Sequence, residues 1–168
     1  MEASLVGSEM CIRDSCIGGG MGLAVACDLR LCEDKSRFAI PAAKLGLGYG
    51  YEGIRRLANL VGPAMVKEIF FTARQFSAGE AQEMGLVNRV LPPHMLAPYV
   101  DDYAKRISEN APMTMESVKA IVQAIQDDGS ARDLDALDAM VKACFASQDY
   151  IEGRRAFMEK RKPNFTGS

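Results

Sequence analysis

Three consecutive glycines, Gly18, Gly19 and Gly20, stand in the stretch CIGGGMGLAVACD over residues 16–28, directly ahead of an almost wholly apolar segment. Such a run gives up side-chain packing and costs backbone entropy, so it marks a place where the main chain turns sharply or approaches something closely. The pattern predicts a loop closing onto a helix over residues 21–27 that has no polar face and is buried all round. A helix starting there aims unpaired N–H groups back at the glycines, a setting suited to a developing negative charge. Bare backbone donors in that place can form half of an oxyanion hole. A tight turn packed under a core helix is the plainer reading of the same glycines.

Other residue types that do chemistry are few. His94 is the only histidine and comes after Pro92 and Pro93 at a predicted helix start. A catalytic triad or a histidine metal site therefore has little to build on, and a surface histidine is the simple reading. The five cysteines, Cys11, Cys16, Cys27, Cys32 and Cys144, are odd in number and lack the C-x-x-C spacing of a zinc or redox site. They read as reduced, mostly buried thiols of a cytoplasmic protein. No metal and no redox cofactor is indicated by these residues.

At 168 residues the chain is the size of one domain and long enough to bury a core. It is 48% apolar and 25% charged with a net charge of -2, which gives nucleic acid or an acidic membrane surface nothing to hold. No apolar run approaches the roughly 20 residues of a membrane helix.

The elements that must position the glycines come in order along the chain. Residues 1–15, MEASLVGSEMCIRDS, show neither helical nor strand periodicity and lack a secretory signal's basic start and apolar stretch. The abrupt change at Cys16 predicts that they are unrelated to residues 16–168, as in a reading frame whose upstream half has been replaced. An intact gene encoding the same residues contiguously would overturn that expectation. Leu29–Glu33 alternates apolar and polar residues, and residues 38–40 form a short apolar run stopped by Pro41, so both read as strands. KLGLGYGYEG, with glycines at 46, 48, 50 and 53, is too glycine-rich for a regular element and reads as a loop in a binding wall. A helix starts from Gly53, carrying Ile54, Leu57, Ala58 and Val61 on one face. Gly62 breaks it and Pro63, at a first helical position, opens another over residues 64–73.

Ser77 and Glu80 form a capping box for a short helix reaching Met84 and stopping at Gly85. Residues 86–91 read as a strand. Beyond the proline pair the chain turns helical, first over about 94–110, with Pro98 near the first turn, then over 112–128 with Gly129 as its stop. A further helix runs from about Ala131 to Ser147, and the last is opened by Asp149, with Glu152 at capping-box spacing, and reaches about Arg161. The sum is an α/β part over residues 16–92 and an all-helical region over 93–168, whose exposed Met and Phe suit packing on a neighbour.

Four blocks carry a resemblance: CIGGGMGLAVACDLRL, FAIPAAKLGLGYGYEGIRRLANLVG, FSAGEAQEMGLVNRVLP and SQDYIEGRRAFMEKRKPNF. In this order and spacing they resemble the enoyl-CoA hydratase/isomerase, or crotonase, family over residues 16–165. The resemblance implies the C-terminal half of a spiral ββα core followed by a helical region that builds trimers and hexamers. It also implies binding of acyl-CoA thioesters, with coenzyme A as part of the substrate and not as a cofactor. Two backbone N–H groups in that family stabilise a thioester enolate. Gly19 matches one of them, with Gly18 and Gly20 beside it in the substrate-binding turn; the other belongs to an upstream segment without a counterpart here. Loss of one such donor costs about 100- to 1000-fold in rate, so the chain by itself is expected to be inactive and poorly stable.

The departures bear on the reaction. Hydratases of the family use two glutamates, and their places are taken here by Gly22 and Ala42. Neither can carry a proton, and general acid/base groups contribute about 100- to 10,000-fold each. Hydratase remains the default label on overall similarity. Tyr49 falls where a methylmalonyl-CoA decarboxylase of the family places an active-site tyrosine, and a phenol there could hydrogen-bond a substrate carboxylate or relay a proton. Glu52 and Tyr51 are weaker candidates in the same loop. Packing for Tyr49 and helix capping for Glu52 are the structural alternatives. Dihydroxynaphthoyl-CoA synthases also carry glycine at the first glutamate position, but their loop aspartate is missing here.

In the last block, Phe157 and Lys160 match positions where a ring and an ammonium from a neighbouring subunit lie against the coenzyme A nucleotide. A cation suits phosphate and a flat ring suits adenine. The cluster Arg154, Arg155, Lys160, Arg161 and Lys162 equally suits a solvated helix end complementing its dipole. Two classes of function are open: an acyl-CoA enzyme that stabilises an enolate, by hydration, decarboxylation or isomerisation, or a catalytically inactive subunit that binds CoA esters or only assembles.

Overall fold

A computed structural model describes residues 9–127 and 132–168. The first eight residues of the chain, the expected stop at Gly129 and the expected helix start near Ala131 lie outside the described residues. The chain forms two compact units, one ending at Asp102 and one spanning Tyr103–Ser168.

In the first unit the elements run β1 (Glu9–Ile12), β2 (Ser15–Ile17), α1 (Gly19–Ala26), β3 (Leu29–Glu33), β4 (Arg37–Ala39), α2 (Ala42–Leu45), α3 (Tyr51–Val61), α4 (Pro63–Thr72), β5 (Phe76–Ser77), α5 (Ala78–Glu83) and β6 (Arg89–Leu91), and α6 (Pro93–Ser108) comes next. Two three-stranded sheets result. One is all parallel in the order β1-β3-β6, with Ile12 opposite Cys32 and Cys32 opposite Val90. The other has the order β2-β4-β5, with β2 parallel to β4 and β5 antiparallel. Met21, Phe38, Leu57, Ile69, Phe76 and Leu86 are buried in one core among these elements. Complete burial of side chains this size stabilises by about 1.5–3 kcal/mol each.

Local signals place the helices as expected. Pro63 occupies the first turn of α4 behind Gly62, whose φ is 80°. The Ser77 hydroxyl accepts from the Glu80 N–H at 3.3 Å while the Glu80 carboxylate accepts from the Ser77 N–H at 2.7 Å. That hydrogen bond, with Arg74 and the Ser77 hydroxyl, holds Glu80 down at about 2. Gly85, at φ 80°, ends the turn after α5 with its Cα against the Leu60 carbonyl, where an added Cβ would sit at 3.2 Å.

Several expectations need correction. Residues 9–12 form a strand, because β1 gains its hydrogen bonds from β3, far away in sequence. The strand expected over 86–91 is only Arg89–Leu91: the Leu86 and Val87 N–H groups turn back to the Ala81 carbonyl at 2.8 and 3.2 Å. The helix after the glycine-rich loop starts at Tyr51, so Tyr51, Glu52 and Gly53 make its first turn. Helix α1 is not buried all round; Met21 and Ala24 face the core, whereas Leu23 is 62% exposed because no described residues pack on that side. Among the cysteines whose side chains are described, Cys16 and Cys32 are buried, whereas Cys27 and Cys144 are half-buried. Burial raises both thiols, Cys32 to about 12.

The second unit holds α7 (Pro112–Gln126), α8 (Leu134–Ala146) and α9 (Gln148–Glu159). The Asp133 carboxylate caps α8, accepting from the Ala136 N–H at 2.9 Å. Helix α9 is capped by Ser147 and not by Asp149: the Ser147 hydroxyl accepts from the Tyr150 N–H at 3.1 Å. Asp149 is 3% exposed, and its carboxylate accepts from the N–H groups of Thr166 and Gly167 at 2.7 and 2.9 Å. The tail is thus tied back to the start of α9, a link reinforced by the Gln148 N–H on the Ser168 carbonyl at 2.7 Å. The helix ends at Glu159, short of Arg161, with Lys160 in the left-handed region at φ 53°.

Candidate functional site

The glycine triplet leaves the carboxyl end of β2. Parallel pairing sets Ile17 opposite Ala39, so the turn after β2 and the turn after β4 share one edge of the sheet, the usual place for a crevice in parallel arrangements. The Gly18 N–H donates to the Ala39 carbonyl at 2.9 Å and stitches the two turns together. Gly18 has φ 58° and ψ -114°, a conformation open to glycine alone. An added Cβ would meet nothing within 4 Å, so the demand for glycine there is conformational, not spatial.

The Gly18 carbonyl accepts from the N–H groups of Met21 and Gly22 at 3.1 and 3.3 Å, closing the first turn of α1. The N–H groups of Gly19 and Gly20 find no acceptor among the described residues, and both glycines are exposed. Two bare donors at a helix start therefore stand at this edge of the sheet, an arrangement that suits an oxygen carrying negative charge. Gly22 is exposed with no atom within 4 Å of an added Cβ, whereas Ala42, just past Pro41, is buried. Neither brings a carboxylate to this edge.

Arg30 is the residue that sequence reasoning missed. It is 3% exposed, and its guanidinium donates to the carbonyls of Cys27 at 2.5 Å, Leu86 at 2.6 Å and Ala24 at 3.5 Å. Asn88 closes the join: its side-chain oxygen accepts from the Arg30 N–H at 2.8 Å, and its own N–H donates to the Arg30 carbonyl at 2.8 Å. Burial lowers the guanidinium pKa, against the opposing pull of Cys27 and Asp28. The strand LRLCE, whose alternation suggests one wet face, buries Arg30, Leu31 and Cys32 in succession.

Tyr49 is half-buried, its ring edge-on to Phe70 at 4.9 Å and packed against the core. Its hydroxyl has no hydrogen-bond partner among the described residues. An added Cβ on Gly53 would come within 3.3 Å of the ring, so this glycine gives Tyr49 its seat. Glu52 is exposed and pairs with Arg55 at 2.9 Å one turn along α3.

Phe157 and Lys160 lie in the second unit. Phe157 is 83% exposed at the rim of an open apolar cavity of about 560 Å³ that also involves Phe145, Tyr150 and Phe165. Lys160 makes no ion pair among the described residues, unlike most of the surrounding cations. Arg155 and Arg161 both bind Glu152 at 2.6 Å, and Lys162 pairs with Glu109. Arg161, Arg155 and the Asn164 N–H together hold the Glu152 carboxyl well below the usual range. Arg154 lies 5.7 Å over the Tyr150 ring. His94 is exposed on α6, and no three His, Cys, Asp or Glu side chains cluster as metal ligands among the described residues. None of the described helices is long and apolar enough to cross a membrane.

The profile of the family Enoyl-CoA hydratase/isomerase matches residues 11–168. The chain is 40% identical over 153 residues to the crotonyl-CoA hydratase of Syntrophomonas wolfei, covering 89% of this chain and 57% of that protein. It is 33% identical over 168 residues to a probable mitochondrial enoyl-CoA hydratase 2 of Arabidopsis thaliana, covering 56% of it. The crystal structure of an enoyl-CoA hydratase/carnithine racemase from Magnetospirillum magneticum superposes with a TM-score of 0.86 at 32% identity, over 95% of this chain and 59% of that one. The chain thus spans less than three fifths of the length of these relatives.

Proposed function

The chain belongs to the enoyl-CoA hydratase/isomerase family, and from that premise we propose that it binds acyl-CoA thioesters and stabilises a thioester enolate through the Gly19 N–H. The observation that carries this reading is the turn itself. Gly18 adopts a backbone conformation that costs other residues on the order of 1–3 kcal/mol, and the result is two N–H groups at a helix start without an acceptor among the described residues. When a thioester oxygen accepts from Gly19, charge developing on it during removal or addition of a proton at the α-carbon meets a fixed donor.

Coenzyme A binding is assigned to Phe157 and Lys160, with Gly18 and Gly20 shaping the turn around the thioester. The Lys160 ammonium, without an ion pair among the described residues, and the exposed ring of Phe157 support that assignment, as does the commitment of Arg155, Arg161 and Lys162 to carboxylates. In this reading the two residues serve a neighbouring subunit of a trimer or a dimer of trimers.

Hydration is the default reaction, but Gly22 and Ala42 supply no acid or base for it. A specific observation keeps a second reading open: the Tyr49 hydroxyl has no partner among the described residues, which suits a decarboxylase or isomerase drawing on Tyr49, while Glu52 is held by Arg55. A CoA-binding or assembly subunit without turnover is the remaining alternative. Calorimetric titration with butyryl-CoA, alongside loss of the enoyl absorbance of crotonyl-CoA, tests the proposal. Binding is expected, with hydration slowed about 100-fold or more for each missing carboxylate. Absence of binding would refute the acyl-CoA reading, and rapid hydration would direct attention to Tyr49 and Glu52.

A further inference from the structure

We propose that Arg30 is a positioning residue for the glycine turn: by gripping the carboxyl end of α1 from within the core, it sets where the Gly19 and Gly20 N–H groups point. The proposal rests on the acyl-CoA reading for its purpose, but its geometry stands apart from it.

Helix α1 has only eight residues and so measures about 12 Å from end to end. A body this short and stiff is aimed by its anchors. At its amino end the single cross-link among the described residues is the Gly18 N–H on the Ala39 carbonyl. Along its length Met21 and Ala24 are buried and Val25 packs partly buried against the core, while Leu23 is exposed. No side chain caps its amino end, and its last turn carries no basic residue of its own. The Arg30 guanidinium fills that place, because it donates to the carbonyls of Ala24 and Cys27 at the end of α1 and to Leu86 in the stretch that precedes β6. A fork of donors can join three carbonyls in this way, and the ammonium of a lysine cannot reproduce its flat geometry.

The grip is itself held. Asn88 pairs with both main-chain groups of Arg30, and β3 lies between β1 and β6 in its sheet. The cation at the carboxyl end also complements the α1 dipole. The bonds from Arg30 to the Cys27 and Ala24 carbonyls, together with the core contacts of Met21, resist rotation of α1 about its own axis. Such a rotation would re-aim the Gly19 and Gly20 donors.

The test uses the ligand-free chain, so that it does not depend on any substrate. Amide spectra and hydrogen exchange are compared for the parent, Arg30→Met and Arg30→Lys. The expected result is a shift of the Gly18, Gly19 and Gly20 amide signals in both variants. Exchange at Met21 and Gly22, whose N–H groups bond the Gly18 carbonyl, should quicken roughly tenfold or more, with exchange in α4 and β4 within about twofold. Unchanged glycine signals in a folded variant would overturn the proposal, and so would a uniform loss of protection across α1, α4 and β4, which is what a merely structural arginine produces. Should Arg30→Met fail to fold, the same comparison with Arg30→Lys decides. Failure of butyryl-CoA to bind the parent would refute the acyl-CoA reading and leave these amide measurements unaffected.

Discussion

At the residue scale, glycines that look alike in the sequence do different things. Gly18 needs its positive φ, whereas Gly22 sits in helical geometry with open space around it. Gly18→Ala is therefore expected to destabilise the protein by about 1–3 kcal/mol, read as a lower denaturation midpoint. Gly22→Ala should instead stabilise by up to about 1 kcal/mol, the ordinary gain from replacing glycine inside a helix. Equal losses at the two sites would contradict the assigned turn. The triplet was legible in the sequence, but the division of labour within it was not, since φ depends on the bond from Gly18 to Ala39. Arg30 was hidden for a related reason. An arginine in an alternating strand reads as solvent-facing, and one of its acceptors, the Leu86 carbonyl, lies 56 residues downstream.

At the element scale, signals whose two partners lie within one helical turn read correctly. Ser77 and Glu80 form the box that their spacing announces, and this gives a pH dependence. Glu80 titrates at about 2 in the folded protein against 4.5 ordinarily, because its carboxylate is hydrogen-bonded by Ser77 and Arg74. A depressed carboxyl stabilises the fold above its unfolded value and loses that contribution as pH falls through the folded value. The midpoint of thermal unfolding should accordingly drop between about pH 5 and pH 2, with a shallower drop in Glu80→Gln. An identical slope in the variant would count against the box. Helix α9 shows the limit of local reading: Asp149 has capping-box spacing to Glu152, yet Ser147 takes the cap. Asp149 turns instead to the tail, 17 and 18 residues away. Asp149→Ala leaves those two N–H groups without their buried acceptor and should cost about 1–3 kcal/mol, with faster exchange at Thr166 and Gly167. β1 was missed for the same physical reason, since a strand's bonds come from elsewhere in the chain.

At the scale of the whole molecule, an order of mixed strands and helices succeeded by helices alone was legible from punctuation and periodicity, and so was the family, from four ordered blocks. Burial was less so: apolar composition made α1 look enclosed, but enclosure depends on which elements surround it. In the proposed function the turn at Gly18 holds a thioester oxygen as it gains negative charge. Acetoacetyl-CoA tests it most directly, because its enolate absorbs in the near ultraviolet and its keto form far less. Adding the protein at neutral pH is expected to raise the enolate-to-keto ratio of the bound thioester by about 10- to 150-fold, the worth of one hydrogen bond to a charged group, and Gly18→Ala is expected to abolish the rise. Binding of acetoacetyl-CoA with no growth of the enolate band, or an undiminished band in folded Gly18→Ala, would contradict it.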